Sequence, residues 1–282
     1  MGEAETSDDR YILTRTEEEY TRLRLQARAW EEVTRRVLTG AGLKAGMRCL
    51  DAGCGPGEAM RLMGRLVGSG GRVVGIDTDA RLGTYALAEL HRREGPQFDF
   101  VAGDVTGGAP VPGGPFDLVF ARFLICHMTE PVAAVQRLAA QVRPGGRLVL
   151  MDYDMTRMAL RPADPVLERA FEVIRGCFDA SGRSSDAGLR LGEFVLAAGL
   201  PMPDGAEVGG IYAPIRGAGI MMRAVLGGLK QSAAALGVAS AEEVGEIQAY
   251  VQKLEAENRN FALVPLVIGV WTTVPGPLSP AS

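Results

Sequence analysis

The sequence predicts an α/β fold built on a mostly parallel sheet. Short apolar runs at 47–50, 72–76, 98–102, 116–121 and 147–152 alternate with amphipathic stretches at 58–67, 79–93 and 130–142. Strands and helices that alternate at this length pair in parallel through right-handed crossovers. Turn signals fall where the pattern needs them. Pro112-Gly-Gly-Pro115 precedes one strand and Arg143-Pro-Gly-Gly146 precedes the next.

Ahead of the alternation, apolar residues at Tyr20, Leu23, Ala27, Trp30, Val33 and Val37 recur at helical steps, so a helix is expected from Thr16 to about Leu38, ended by Gly40 and Gly42. After Tyr153 the pattern changes. Helices are expected at 164–180, started by Asp164-Pro165, and at 189–198, ended by Gly199 and Pro201. A strand at 207–215, helices at 218–236 and 240–258, and a last strand at 261–274 complete the chain.

With 282 residues, 47% of them apolar, the chain suffices for one large domain or a domain with a sizeable insertion. A net charge of −4 without runs of like charge leaves no electrostatic footprint for nucleic acid. No apolar run reaches the roughly 20 residues that span a bilayer, and residues 1–10, acidic and polar, read as a disordered tail rather than a signal peptide. Cys49, Cys54, Cys126 and Cys177 lack metal-type or framework spacing and read as reduced thiols of a cytoplasmic protein. No nucleic-acid or membrane partner is expected, and the chain is expected as a monomer or homodimer.

The most informative segment is Met47-Arg-Cys-Leu-Asp-Ala-Gly-Cys-Gly-Pro-Gly57, a buried strand running through Asp51 into a glycine-rich turn. The next strand, Arg72 to Asp77, ends in a second acid. Such a turn at the carboxyl edge of a parallel sheet is a nucleotide-type pocket. Asp51 stands where a phosphate would be repelled, so it suits a ligand with a cationic, amine-bearing end. Asp77 would also serve the ribose of a nicotinamide cofactor. Against that reading, the spacing is D-x-G-x-G-x-G and not the dinucleotide G-x-G-x-x-G.

This pattern, filled by Asp51, Gly53, Gly55 and Gly57, resembles the first motif of class I S-adenosylmethionine-dependent methyltransferases, and later segments are similar to their bacterial small-molecule group. The resemblance implies a Rossmann-like sheet of five parallel strands plus a C-terminal antiparallel pair, with helical cap insertions, and S-adenosyl-L-methionine as cofactor. It divides the chain into an N-terminal helical lid at 11–40, a core of 41–156, 186–215 and 260–275, and substrate caps at 157–185 and 216–259. It implies that Asp77 accepts both ribose hydroxyls, and that Asp104 and the Val105 amide meet the adenine. Arg22 and Gln26 would approach the methionine carboxylate. The competing readings are a helix cap for Asp77, a turn former for Asp104 and a solvated helix face for Arg22 and Gln26.

The exit of the fourth strand, Ala121-Arg-Phe-Leu-Ile-Cys-His127-Met-Thr-Glu-Pro131, also resembles that group. Arg122 and Phe123 should face the methionine end or the substrate mouth. No Asn/Asp-Pro-Pro-aromatic motif is present there, which argues against adenine in DNA or amide nitrogens as acceptors. His127 reads as a general base or, preferably, as a structural histidine. His91, beside Arg92 and Arg93, is expected to be solvated. Asp152 and Asp154 could in principle hold Mg2+. Two ligands alone do not argue for a metal, and lining of the substrate pocket by Asp152 or Tyr153 is preferred. Tyr11 falls in the region similar to the same group and is expected at the substrate, as is Met222. An apolar stripe including Met221, Met222, Val225 and Leu229 would be core or the roof of an apolar substrate pocket. The implied activity is methyl transfer to an O, N or C atom of a small, bulky and apolar molecule. A cyclisation that keeps the cofactor, a peptide or protein acceptor, and a non-catalytic binding protein are the alternatives.

Overall fold

The structure is a computed structural model, which describes Leu23 and residues 27–276. The main sheet is assembled from β1 (Arg48–Ala52), β2 (Arg72–Asp77), β3 (Phe98–Ala102), β4 (Phe116–Arg122), β5 (Val142–Asp154), β7 (Gly205–Gly209) and β10 (Leu266–Thr273). Its order is β3-β2-β1-β4-β5-β10-β7. The first five strands pair in parallel, and β10 pairs antiparallel with both β5 and β7. Only β10 therefore runs against the others.

Both faces of this sheet are buried, and alternation along the strands divides the core in two. In β4, Leu118 and Phe120 join one cluster while Phe116, Val119 and Ala121 join the other. The first face is covered by α1 (Glu31–Gly40) and α2 (Glu58–Val67), through Val33, Val37, Met60 and Met63. It also takes Leu90 of α3 (Ala80–Arg93). The second face is covered by α4 (Pro131–Ala139) and α6 (Ala187–Ala197), through Val135, Leu138, Leu191 and Phe194. Burial on both faces is what a parallel sheet requires, and it explains why its strands read as continuous apolar runs.

Three more helices form a layer of their own. α5 (Pro165–Ala180) packs on both members of the hairpin formed by α7 (Ile215–Ala235) and α8 (Ala241–Glu257). Asp164 caps α5 by accepting from the amides of Val166 and Leu167. Ser240 caps α8 through the Glu243 amide. Leu226 and Leu229 are fully buried inside this layer. No helix among the described residues is long and apolar enough to cross a membrane.

The structure differs from the sequence expectation in three places. The expected strand at 207–215 is two strands, β7 and β8 (Tyr212–Pro214), bent at Gly210. The expected strand at 261–274 is likewise two, β9 (Phe261–Leu263) and β10, separated at Pro265, which has no amide to continue a ladder. With β6 (Ala159–Arg161), these short pieces form a second antiparallel sheet of order β6-β9-β8. The described part of the N-terminal helix is interrupted at Trp30, whose φ of −101° and ψ of 8° break the helical run before α1. His91 is exposed, as expected, and its Nε2 also lies 2.9 Å from the carbonyl oxygen of Phe98, which ties α3 to β3. The expected tail at 1–10 lies outside the described residues.

Helix-to-sheet contact is close at Gly64, where an added Cβ would lie 2.2 Å from the Phe98 ring. Gly64→Ala should cost about 1–3 kcal/mol in urea unfolding, the usual price of overpacking a core. In α6 nothing lies within 4 Å of a Cβ added at Gly192. Gly192→Ala should stabilise by about 0.4–1 kcal/mol in the same assay.

Candidate active site

The strand that starts the site ends in a turn only glycine can make. Gly53, Gly55 and Gly57 have φ of 70°, 48° and 76°, in the left-handed region. The end of β2 holds this turn. The Gly53 and Cys54 amides donate to the Ile76 carbonyl, and the Gly55 amide donates to Asp77 Oδ2 at 2.8 Å. Gly55 lines the cavity beyond the turn, and nothing lies within 4 Å of where its Cβ would be.

That cavity has a volume of about 1060 Å3 and opens along the carboxyl ends of β1, β2 and β4. It is larger than most sites for a single drug-sized molecule, which span roughly 300–1,000 Å3. It is continuous from the glycine turn to the helical layer, so one space has room for two ligands side by side.

Asp51, at the end of β1, is 1% exposed, and its Oδ2 has no hydrogen-bond partner among the described residues. Burial pushes its carboxyl up to about 7; Arg122 opposes the shift and Asp77 adds to it. Arg122, the last residue of β4, lines the same cavity and donates from Nη1 to Thr34 Oγ1 at 2.9 Å. Thr34 in turn donates to the Trp30 carbonyl at 2.7 Å. Burial holds the Arg122 guanidinium below the ordinary arginine range, against the pull of Asp51. The two side chains thus share a water-poor space in which each favours the other's charge.

Asp77 accepts from the Asp79 amide with Oδ1 and from Gly55 with Oδ2. An ionised carboxylate has about four acceptor sites. It is not the cap of α3; Asp79 is, through the Leu82 amide. Asp104 does form a turn, accepting from the amide and hydroxyl of Thr106 with one oxygen, and it lines the cavity together with Val105.

Phe123 is where backbone conformation serves the site. Its φ of 56° is an outlier for an aromatic residue. Its amide donates to the Met151 carbonyl, and its ring stacks on Tyr153 at 4.0 Å with 3° between planes. Trp30 meets Tyr153 edge-on. This aromatic wall lines the cavity. Strain of this kind persists where surrounding contacts over-determine it, and it gathers at functional sites.

His127 lines the cavity with its ring 5.5 Å from that of Phe178. Met221, Met222 and Val225 of α7 line it as well, whereas Leu229 does not. Leu229 sits on the inner side of α7, among residues that hold the helical layer together. Asp152 also stays away from the cavity. It is fully buried and accepts from the amides of Cys126 and Tyr153, so Tyr153 alone of that pair reaches the ligand space. Burial pushes the Asp152 carboxyl up to about 6. Asp154 caps the turn at Thr156. No cluster of metal-ligating side chains occurs among the described residues. Tyr11, Arg22 and Gln26 lie outside them.

The sequence reading missed the stack of Phe123 on Tyr153, the role of Thr34 under Arg122, and Arg183 in the cavity wall. Thr34 carried a signal, a hydroxyl at a position flanked by the apolar stripe of the first helix. The other two arise from folding back of distant segments and left none.

The Asp51 and Asp152 carboxyls are raised above their unfolded values by burial, so the folded state holds more protons than the unfolded chain between about pH 4 and pH 7. The ligand-free protein should lose stability as pH rises through that window. Asp51→Asn should flatten the upper part of the fall, whatever it does to total stability, as read by chemical unfolding at a series of pH values.

A family model described as a methyltransferase domain matches residues 20–185, more than half of the chain. The ubiquinone/menaquinone biosynthesis C-methyltransferase UbiE of Hahella chejuensis is 28% identical over 147 residues, which cover 52% of this chain and 55% of that one. The chain spans about half the length of the curated relatives it matches. A Bacillus halodurans protein described as a methyltransferase superposes with a TM-score of 0.57 at 16% identity, over 86% of this chain and 99% of its own. The cyclase SpnF does so with a TM-score of 0.52 at 20% identity, over 88% and 83%. These two likenesses speak for the fold. Sheet order, glycine turn and family match coincide on one stretch of sequence, and the chain belongs to the class I S-adenosylmethionine-dependent methyltransferases.

Proposed function

We propose that the protein transfers a methyl group from S-adenosylmethionine to a small, bulky and largely apolar acceptor. The observation that carries this reading is the single cavity that joins the acids of the glycine turn to the apolar side chains of the helical layer. When bound, S-adenosylmethionine supplies an electrophilic methyl group on a positively charged sulfur.

The residues present fit that cofactor. The orphaned Asp51 oxygen matches the donor that an α-ammonium group carries. Asp77 would take the ribose hydroxyls, and Asp104 with the Val105 amide would take the adenine edge. Gly53 and Gly55 let the backbone come close. Arg122 would take the methionine carboxylate, with Arg22 and Gln26 assigned to it only by resemblance. Tyr153, Phe123, Met222 and His127, with Tyr11 by resemblance, would hold the acceptor. In this reading residues 11–40 act as a lid and 157–185 with 216–259 as caps. Their work is to align nucleophile and methyl carbon and to keep water out, because an in-line displacement depends most on orientation.

Asp152 and Asp154 hold backbone amides, so neither is offered as a base. One observation keeps a second reading in view: SpnF, named as a cyclase, shares the fold. A cyclase that retains the cofactor would turn over without consuming it. Release of S-adenosylhomocysteine in step with product separates the two.

S-adenosylhomocysteine should bind one-to-one and raise the melting temperature. Asp77→Ala should weaken it by about 1–3 kcal/mol in calorimetry. Binding of NADH in its place would overturn the proposal. Met222→Glu in folded protein should impair acceptor turnover and leave S-adenosylhomocysteine affinity within about two-fold, since it puts a charge on the acceptor side alone. Equal loss of both would make α7 part of the cofactor site.

A further inference from the structure

The second sheet has two unlike faces. Its inner face belongs to the cavity, because alternation along β8 and β9 turns Ala213 and Ala262 inward, where both line the ligand space. Its outer face is open. Tyr212 is 62% exposed and Phe261 43%, and their rings stack at 5.5 Å with 18° between planes. Pro214 and Arg161 flank Phe261 in register on either side, and both are exposed. Single apolar side chains are normal on a surface, but large ones gathered in one place mark an interaction surface.

The charge on this side of the molecule has one sign. The three stretches that build the sheet, 157–162, 211–217 and 258–264, carry Arg157, Arg161, Arg216 and Arg259 and no aspartate or glutamate. All four arginines are exposed. Arg157 has Asp154 at 3.7 Å, and Arg161 donates to the Leu160 carbonyl. Arg216 and Arg259 have no ion pair among the described residues. The cavity also reaches the surface here. Gly217 and Ile220 of α7 line it and are themselves exposed, so the ligand space meets solvent beside Arg216. Net charge and the longest apolar run, from which no membrane partner is expected, average over such a patch.

We propose that the outer face of the second sheet docks on a bilayer bearing anionic lipids, with the cavity mouth at Gly217 and Ile220 next to the lipid. Tyr212 and Phe261 enter the interfacial layer, where aromatic rings are favoured, and the arginines meet the headgroups. A cation near an anionic leaflet is attracted within about a Debye length. The proposal rests on the apolar-acceptor reading of the cavity. A bulky apolar acceptor concentrates in a bilayer, and this placement lets it pass into the ligand space without a stay in water. Size favours lipid over a protein partner. Three strands of three residues each span roughly 10 by 14 Å, on the order of 150 Å2. A specific protein partner covers roughly 800 Å2. Lipid headgroups, each a separate small ligand, need no such area.

Vesicle flotation of the full chain tests this, with vesicles of phosphatidylcholine alone and of phosphatidylcholine with about 30% phosphatidylglycerol. The protein should bind the anionic vesicles at least about ten-fold more tightly, and raising salt from about 0.1 M to about 0.5 M should remove most of that preference. Arg216→Gln together with Arg259→Gln should weaken binding to the anionic vesicles by about ten-fold, whereas Arg81→Gln, the same charge change on α3, should leave it within about two-fold. Tyr212→Ser together with Phe261→Ser should weaken it at both salt concentrations. None of these should change S-adenosylhomocysteine affinity by more than about two-fold, since none of the residues lines the cavity. If the aromatic pair cannot be replaced in folded protein, the arginine variants and the two lipid compositions still decide. Equal binding to both vesicles, binding indifferent to these substitutions, or no binding at all overturns the proposal. In the last case a dimer that the same substitutions dissolve, seen by light scattering, assigns the face to a second copy, and retention on immobilised poly-glutamate assigns it to an acidic protein. Vesicle binding without S-adenosylhomocysteine binding keeps the docking face and overturns the methyltransferase reading, whereas the reverse overturns the face alone.

Discussion

The carboxyl edge of this sheet is organised by two opposite charges kept out of water, Asp51 at the end of β1 and Arg122 at the end of β4. The strands are neighbours, with Asp51 opposite Phe120 and Ala52 opposite Ala121. Taking a carboxylate and a guanidinium out of water is costly, and their attraction offsets that cost only when further hydrogen bonds satisfy them. Arg122 finds such a partner in Thr34, but one oxygen of Asp51 finds none among the described residues. The fold thus carries an unfavourable group at the point where the glycine turn comes closest to the cavity. A ligand that donates a hydrogen bond to that oxygen relieves the cost, and a phosphate does not. The same pair ties α1 to the sheet, because Thr34 sits on that helix and its hydroxyl also bonds the Trp30 carbonyl. Trp30 in turn meets Tyr153. The cofactor end and the aromatic wall are consequently linked through one short helix.

Much of this was legible in the sequence because the physical signals are local. A strand buried on both faces is a continuous apolar run, and the left-handed turn after β1 demands glycine at particular positions. Expectation and structure therefore agree on β1 to β5 and on Asp51, Asp77 and Asp104 at the cavity. Locality also explains what failed. β6, β8 and β9 are three residues each, too short for a period to show, and β9 pairs with segments about a hundred residues (β6) and about fifty residues (β8) before it. A one-sequence reading joins β8 to β7 and β9 to β10, because the bends at Gly210 and Pro265 interrupt apolar runs without ending them. His91 is exposed, as its charged neighbours on the helix suggest, but its reach to a carbonyl of the next strand is something helix-surface composition does not report. Met222 and Leu229 share one stripe in sequence, yet the stripe is wide enough to wrap from the cavity into the helical layer.

The acids on β5 show how the same residue type divides between architecture and chemistry. Asp152, Tyr153 and Asp154 follow one another, and strand alternation turns Tyr153 to the cavity while both carboxylates turn to backbone amides. The Cys126 amide that Asp152 accepts from belongs to the turn carrying Phe123 and His127. Asp152 thereby fixes the exit of β4, and with it the position of the aromatic wall and of the carbonyl that holds Arg183. Its influence on the site is exerted through placement.

That division bears on how the protein would do its work. In a methyl transfer the electrophile comes ready-made, so the chain has to bring two molecules into line, exclude water and distinguish one acceptor from another. Its buried polar groups are distributed accordingly. Asp51, Asp77, Asp104 and Arg122 cluster at the glycine turn, where a polar cofactor has many atoms to satisfy. The helical layer contributes apolar side chains such as Phe171, Ile174, Phe178 and Met222. An apolar chamber alone discriminates weakly, by about 1–3 kcal/mol per methylene, whereas a site built to hydrogen-bond a polar group rejects analogues that lack it far more strongly.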